Sequence, residues 1–99
     1  YTPDVITSHG LVEVMGLGKD QLLKLKCEKF EALLAWHDDW NVSLFVYDAA
    51  KKRHTTVSLD DVARIVVTGK APRGVFSEGN EYWSIHADLL EGWTAHDGQ

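Results

Sequence analysis

The sequence predicts a single α+β domain in which one main helix packs on an antiparallel β-sheet. One stretch, residues 19–36, has the apolar spacing of an amphipathic helix, and most of the chain after it divides into short segments that read as strands. Because 99 residues is the usual size of one domain, we assign residues 1–99 to a single domain. The chain begins with Tyr1 rather than Met, as expected for part of a longer protein.

The predicted main helix rests on one apolar stripe. The side chains at the spacing of a single helix face are Leu23, Cys27, Phe30, Leu34 and His37, with Leu22 and Leu33 widening that face. Lys24, Glu28 and Glu31 then lie on the opposite, solvated face. Such a stripe can cover one side of a sheet, and its packing decides whether a cavity lies beneath the helix.

Strands are predicted on both sides of this helix. Before it, residues 5–7 and 11–14 have strand propensity and are separated by Gly10. After it, residues 42–47 alternate: one face carries Val42, Leu44 and Val46, and the other carries Ser43, Phe45 and Tyr47. A polar hairpin connection over residues 48–53 leads to a second strand over residues 54–59.

Residues 60–67 fit two descriptions. Ser58 followed by Asp61 three residues later resembles a capping box, which predicts a short helix. The β-branched run that ends before Gly69 suits a strand instead. Between these we favour a brief turn and then a strand from about Val62.

Residues 81–90 have the most regular strand pattern of the chain. One face would carry Trp83, Ile85, Ala87 and Leu89, and the other would carry Tyr82, Ser84, His86 and Asp88. A last short strand is predicted over residues 93–96. The polar face could bring a phenol, an imidazole and a carboxylate together for general acid–base chemistry, whereas the simpler interpretation is a solvated outer face of the sheet.

Composition disfavours several functions. The net charge of −5 and the single basic run, Lys51, Lys52 and Arg53, disfavour nucleic-acid binding. One cysteine excludes an internal disulfide and a cysteine-based zinc site, and we expect neither a metal nor a cofactor. No apolar run is long enough to span a membrane and no signal-peptide pattern is present, so we expect no membrane association and a cytoplasmic location.

The chain also resembles the nuclear transport factor-like superfamily, which includes polyketide-cyclase-like and ketosteroid-isomerase-like proteins. The matching segments are residues 1–5 (Tyr-Thr-Pro-Asp-Val), residues 16–22 (Gly-Leu-Gly-Lys-Asp-Gln-Leu) opening a helix that ends in residues 30–34, and the stretches 66–69, 79–82 and 86–88. The resemblance implies a curved antiparallel β-sheet wrapped round the helix, a cone-like or cystatin-like fold with an apolar pocket. It makes Asp4, Tyr82, His86 and Asp88 the candidate catalytic residues, and Phe30, Leu34, Tyr47 and Trp83 the candidate ligand-binding residues.

These observations lead to two functional hypotheses. The first is a protein with a pocket for a small apolar ligand, performing acid–base chemistry such as isomerisation, cyclisation or dehydration. The alternative is a non-catalytic interaction or dimerisation module that uses an acidic, Trp-rich surface, because four Trp residues in a chain of this size suit an interface. A homodimer is expected under the alternative.

Overall fold

The computed structural model describes residues 3–95, which form eight strands and two α-helices. In chain order, the elements are β1 (Val5–Thr7), β2 (Gly10–Gly16), β3 (Leu22–Lys26), α1 (Cys27–His37), β4 (Val42–Asp48), β5 (Arg53–Ser58), α2 (Leu59–Val67), β6 (Arg73–Val75), β7 (Glu81–His86), a 3₁₀ turn (Ala87–Leu89) and β8 (Thr94–Ala95). The α+β class predicted from the sequence is confirmed, with two helices rather than one packed on two sheets.

The larger sheet has five strands in the order β1-β2-β4-β5-β8. It is mixed: β2 and β4 run parallel, with Val14 opposite Phe45, whereas the other neighbours are antiparallel. The parallel pair requires a crossover, and β3 with α1 forms it. The prediction of a purely antiparallel sheet was therefore wrong for this pair of strands.

The smaller sheet has three antiparallel strands in the order β3-β7-β6. Leu23 and Leu25 of β3 face inward together with Ile85 of β7, and all three side chains are fully buried. The pairing of β3 with β7 continues one step beyond the strands, where the Ala87 N–H donates to the Gln21 carbonyl at 2.9 Å.

The core lies between the inner face of the five-stranded sheet, the two helices and the inner face of the three-stranded sheet. Its fully buried side chains include Leu33 of α1, Leu44 and Val46 of β4, and Leu59 and Val62 of α2. Alternation on β4 puts Val42, Leu44 and Val46 inward, as the sequence predicts.

The predicted helix over residues 19–36 was wrong in its first half. Residues 22–26 form β3, and α1 begins only at Cys27. Leu23 is buried, but in a strand, so it shares no helical stripe with Cys27 and Phe30. The sequence Leu-Leu-Lys-Leu-Lys alternates with a period of two, and pairing with β7 selects that period over the helical one.

The strand favoured after Val62 was also wrong, because residues 59–67 form α2. The Ser58 hydroxyl accepts a hydrogen bond from the Asp60 N–H at 3.1 Å and caps the helix. Leu59 and Val62 are buried on one face, which outweighs the preference of the β-branched residues for a strand.

The strand predicted over residues 81–90 is shorter than expected. β7 ends at His86, and Asp88 belongs to the 3₁₀ turn rather than to the polar face of a strand. The last predicted strand is present as β8, although His96 lies outside the described residues.

Candidate functional site

The four candidate catalytic residues lie in different parts of the fold. Tyr82 and His86 are on the outer face of β7 in the three-stranded sheet, and Asp88 follows them in the 3₁₀ turn. Asp4 precedes β1 at the edge of the five-stranded sheet. Three of the four therefore lie along one segment of chain, and Asp4 lies on the other sheet.

His86 and Asp88 contact each other within a helix-capping arrangement. His86 Nδ1 accepts a hydrogen bond from the Asp88 N–H at 3.0 Å and lies 3.5 Å from Asp88 Oδ2. The two side chains are 47% and 86% exposed, so water reaches both groups. The arrangement caps the 3₁₀ turn in the way that a polar side chain caps a helix.

Asp4 has a structural contact of its own. Its Oδ2 accepts a hydrogen bond from the Val14 N–H at 2.9 Å, while its backbone N–H donates to Glu13 Oε1 at 3.3 Å. Glu13 is buried and forms an ion pair with Lys29 of α1 at 3.0 Å. These contacts tie the start of β1 to β2 and to the helix.

The four candidate ligand-binding residues do not share one cavity. Phe30 is buried in the core, and Leu34 and Trp83 are half-buried against it. Tyr47 points to the opposite, outer face of the five-stranded sheet and is 45% exposed. Two grooves of the described residues, each of about 460 Å³, are lined by none of these four side chains.

One of these grooves runs between α2, β5 and the loop that follows the 3₁₀ turn. Its apolar lining includes Val57, Ile65 and Leu90. At its rim, Arg64 Nη1 lies 3.0 Å from Asp61 Oδ1 in an exposed ion pair. Exposed pairs of this kind contribute little to stability.

A smaller groove of about 340 Å³ lies at the start of α1 and contains Cys27 and Arg73. Arg73 Nη2 lies 2.6 Å from Glu81 Oε1, and its guanidinium lies 5.0 Å from the centre of the Trp83 ring. Hydrogen bonding to Cys27, followed by the charge of Glu81, raises the pKa of Arg73 above its ordinary value. Arg73 is therefore a permanent cation at this edge.

A buried polar network joins the two sheets. Asp48 is 1% exposed and accepts hydrogen bonds from Arg53 Nε at 2.9 Å and from Gln21 Nε2 at 3.3 Å. Arg53 also donates to Gln21 Oε1 at 2.9 Å, and its guanidinium lies 4.2 Å from the centre of the Trp93 ring. Burial opposes ionisation of Asp48, but its bonds with Arg53, Lys51 and Gln21 outweigh burial and lower its pKa below 3.8.

The outer face of the five-stranded sheet is uncovered among the described residues, and we name it the open face. Strand alternation and register put these residues on it: Val5, Thr7, Gly10, Val12, Val14, Gly16, Ser43, Phe45, Tyr47, His54, Thr56, Ser58 and Thr94. No Lys, Arg, Asp or Glu is among them, although the chain has 10 basic and 15 acidic residues. Both helices pack on the other face, where β4 is buried.

Aromatic rings form the centre of the open face. Phe45 is on β4, the middle strand of the five, and stacks on His54 with 5.3 Å between ring centres. Tyr47 covers Gly16, where a Cβ would lie 2.8 Å from the Tyr47 hydroxyl oxygen. Val5 and Val14 flank the rings and are 43% and 41% exposed.

The outer face of the three-stranded sheet is different in character, and we name it the basic–aromatic face. It consists of Leu22, Lys24, Lys26, Gly74, Tyr82, Ser84 and His86, with Phe76 from the turn after β6. The Tyr82 and Phe76 ring centres lie 4.3 Å apart. Lys24 Nζ lies 5.6 Å from the centre of the Tyr82 ring, and Lys26 Nζ lies 5.8 Å from the centre of the Phe76 ring. Gly74 lies under Tyr82, and a Cβ there would collide with the ring.

The lysines of this face were missed in the sequence because residues 19–36 were assigned to a helix. The signal that would have identified them is the alternation of Leu23 and Leu25 with Lys24 and Lys26, which puts both lysines on one face of a strand. The open face had a clearer signal, since Phe45 and Tyr47 alternate with buried valine and leucine.

The fold and these surfaces define a small α+β protein with two sheets and two exposed sheet faces of unlike chemistry. No protein-family model, curated protein or solved structure matches the chain. Within residues 3–95, no group of three or more His, Cys, Asp or Glu side chains is arranged to hold a metal ion. None of the helices in that range is both long and apolar enough to cross a membrane.

Proposed function

We propose that this protein is a non-catalytic interaction module that self-associates through the open face, with a second copy of the chain as its partner. The observation that carries the proposal is that β2 is apolar on its outer face as well as on its inner face, where Leu11 and Met15 join the core. Glu13 of this strand is buried, whereas Val12 and Val14 face outward. The buried Glu13 is paired with Lys29, whereas apolar residues on a solvated face do not help the domain to fold, so a function on that face explains them.

Charge and symmetry favour a second copy as the occupant. Two molecules of net charge −5 repel each other, and a contact through the uncharged open face adds the least to this repulsion because it buries no like charges against each other. Phe45 lies at the middle of the central strand, so a two-fold axis near this ring would pair identical apolar surfaces. Sheets pack face to face at a separation of about 10 Å, which interdigitated Val and aromatic side chains fill.

The size of the open face predicts a transient dimer. The five strands are two to seven residues long and about 4.8 Å apart, so the open face covers roughly 400 Å² per molecule. A stable complex of standard size buries about 800 Å² per partner, so the open face belongs to the weak, transient class. We expect a dissociation constant on the order of 100 µM, in keeping with a module that associates at high local concentration.

Sedimentation equilibrium between 10 µM and 1 mM tests the proposal. We expect wild-type protein to shift from monomer to dimer over this range, and Val14→Lys to weaken the dimer at least tenfold, because a lysine would be buried in an apolar contact. Val67→Lys is the matched control, because Val67 is exposed at the end of α2. A monomer at 1 mM, or equal weakening by both variants, would overturn the proposal.

The enzymatic hypothesis and the relationship to the nuclear transport factor-like superfamily stay predictions, together with the cone-like, cystatin-like sheet that the relationship implies. The feature that supports acid–base chemistry is the contact of His86 with Asp88, beside Tyr82 on the same sheet. The grooves described above are where a small apolar ligand would bind under that hypothesis.

A further inference from the structure

We infer that the basic–aromatic face binds single-stranded nucleic acid, with bases stacked on Tyr82 and Phe76 and backbone phosphates held by Lys24 and Lys26. The two rings are half-buried and flanked by cations of the neighbouring strand, and a single strand binds such a surface by stacking its bases on the accessible ring faces. This surface is on the other sheet from the open face, so the inference does not depend on self-association.

The register of the three-stranded sheet places the cations beside the rings. Lys26 is opposite Tyr82, and Lys24 is opposite Ser84, the next outward residue along β7. Alternate residues on a strand lie about 7 Å apart, close to the spacing of successive phosphates in a single strand. The two ammonium groups can therefore contact neighbouring phosphates while the rings contact the bases between them.

The rings are held in place by the sheet. Tyr82 lies over Gly74 of β6, which has no side chain to lift the ring, and Phe76 packs against it. Phe76 is held in turn by a tight turn, in which its N–H donates to the Asn80 carbonyl and its carbonyl accepts from the Gly79 N–H, both at 2.8 Å. A preorganised platform loses little conformational entropy when a base stacks on it.

The acidic net charge does not act equally on all surfaces. At 0.1 M salt the Debye length is about 10 Å, so a bound strand responds mainly to nearby charges. Asp20 Oδ2 lies 3.7 Å from Lys24 Nζ. Glu28, Glu31 and Glu81 line one groove together with Lys26 and Arg73. Lys26 forms no ion pair with a carboxylate among residues 3–95. Asp20 therefore weakens phosphate binding at this face, because its carboxylate competes with phosphate for Lys24.

Fluorescence anisotropy with a labelled eight-residue oligothymidylate at 0.1 M salt tests the inference. We expect weak binding, with a dissociation constant on the order of 100 µM. Lys26→Ala should weaken it several-fold, and Phe76→Ala at least about fivefold through lost stacking. Asp20→Asn should strengthen binding, while its amide oxygen can still accept the hydrogen bond from the Leu22 N–H.

Lys51→Ala is the matched control, since it removes the same charge from the β4–β5 hairpin on the other sheet. Circular dichroism of each variant establishes that it is folded, and amide shifts of Lys24, Phe76 and Tyr82 on titration locate the contact. No anisotropy change at 0.5 mM protein overturns the inference. Equal weakening of binding by Lys51→Ala and Lys26→Ala also overturns it. If thymidine monophosphate binds as tightly as the oligonucleotide, the inference is overturned as well, and the face is assigned to free nucleotides.

Discussion

At the scale of single residues, buried polar groups carry much of the specificity of this fold. Asp48 faces the core on the same side of β4 as Leu44 and Val46, yet it has a partner for each oxygen. Arg53, which supplies the strongest of these bonds, also lies against Trp93 and reaches Gln21 at the edge of the other sheet. A charge buried without such partners would destabilise the protein.

This network predicts a defined dependence of stability on pH. Because the pKa of Asp48 is lower in the folded protein than its ordinary value of 3.8, its stabilisation is complete above about pH 4 and is lost as pH falls through the folded pKa. Asp48→Asn should cost roughly 2–3 kcal/mol at pH 7 and should reduce the loss of stability below pH 4. Urea unfolding at pH 7, 4, 3 and 2.5 measures both effects.

Asp61→Asn is the control for this measurement, because its ion pair with Arg64 is exposed. We expect its unfolding free energy to differ from wild type by less than about 0.5 kcal/mol at pH 7. An equal loss in the two variants would mean that the buried network contributes no more than a surface pair.

At the scale of elements, the sequence predicts a strand correctly where its alternating pattern allows only one face to be buried. The run over β4 allows only one face to be buried, and its strand was predicted correctly. Leu22–Lys26 fits a helix stripe and an alternating strand equally well, so its structure depends on β7, some sixty residues later in the chain. Glu13 gives no sequence signal of its burial, because its partner Lys29 lies on α1.

The second helix shows how a local signal and tertiary packing combine. The capping interaction at Ser58 was available in the sequence, whereas the burial of Leu59 and Val62 was not. His37, the last residue of α1, contacts the start of α2: its Nε2 lies 2.9 Å from Asp60 Oδ1. Its Nδ1 accepts a hydrogen bond from the Val42 N–H at 3.0 Å. The α1 terminus, the α2 terminus and β4 are thereby joined.

The cap predicts a measurable contribution to stability. Ser58→Ala should lower the free energy of unfolding by about 1 kcal/mol, because the Asp60 N–H loses its acceptor. For a domain of this size that loss corresponds to a fall of about 4–8 °C in the melting temperature, measured by circular dichroism. Ser58→Asp should retain most of the stability, and Ser77→Ala, in an exposed turn, serves as the control. An unchanged melting temperature for Ser58→Ala would show that packing alone holds α2.

At the scale of the whole molecule, the two exposed sheet faces divide the surface into regions of different electrostatics. The open face has no formal charge, and the basic–aromatic face has two lysines in a molecule of net charge −5. Whole-chain composition averages these regions, so the net charge of −5 does not describe the charge of either face. Register and topology decide which side chains are collected on each face, and neither is visible in composition.

This division predicts opposite responses of the two binding events to salt. Between 0.1 and 0.5 M sodium chloride, oligonucleotide affinity should fall about tenfold, since two phosphate contacts on a single strand give a slope of about −1.4 in log–log form. Self-association should strengthen up to about threefold over the same range, because salt screens the repulsion between monomers of charge −5 and leaves the apolar contact intact. Sedimentation equilibrium and fluorescence anisotropy on one preparation measure how the two dissociation constants depend on salt concentration, each as the slope of a log–log plot. Parallel slopes would mean that one surface serves both events, whereas opposite slopes require two separate faces with the charges assigned to them above.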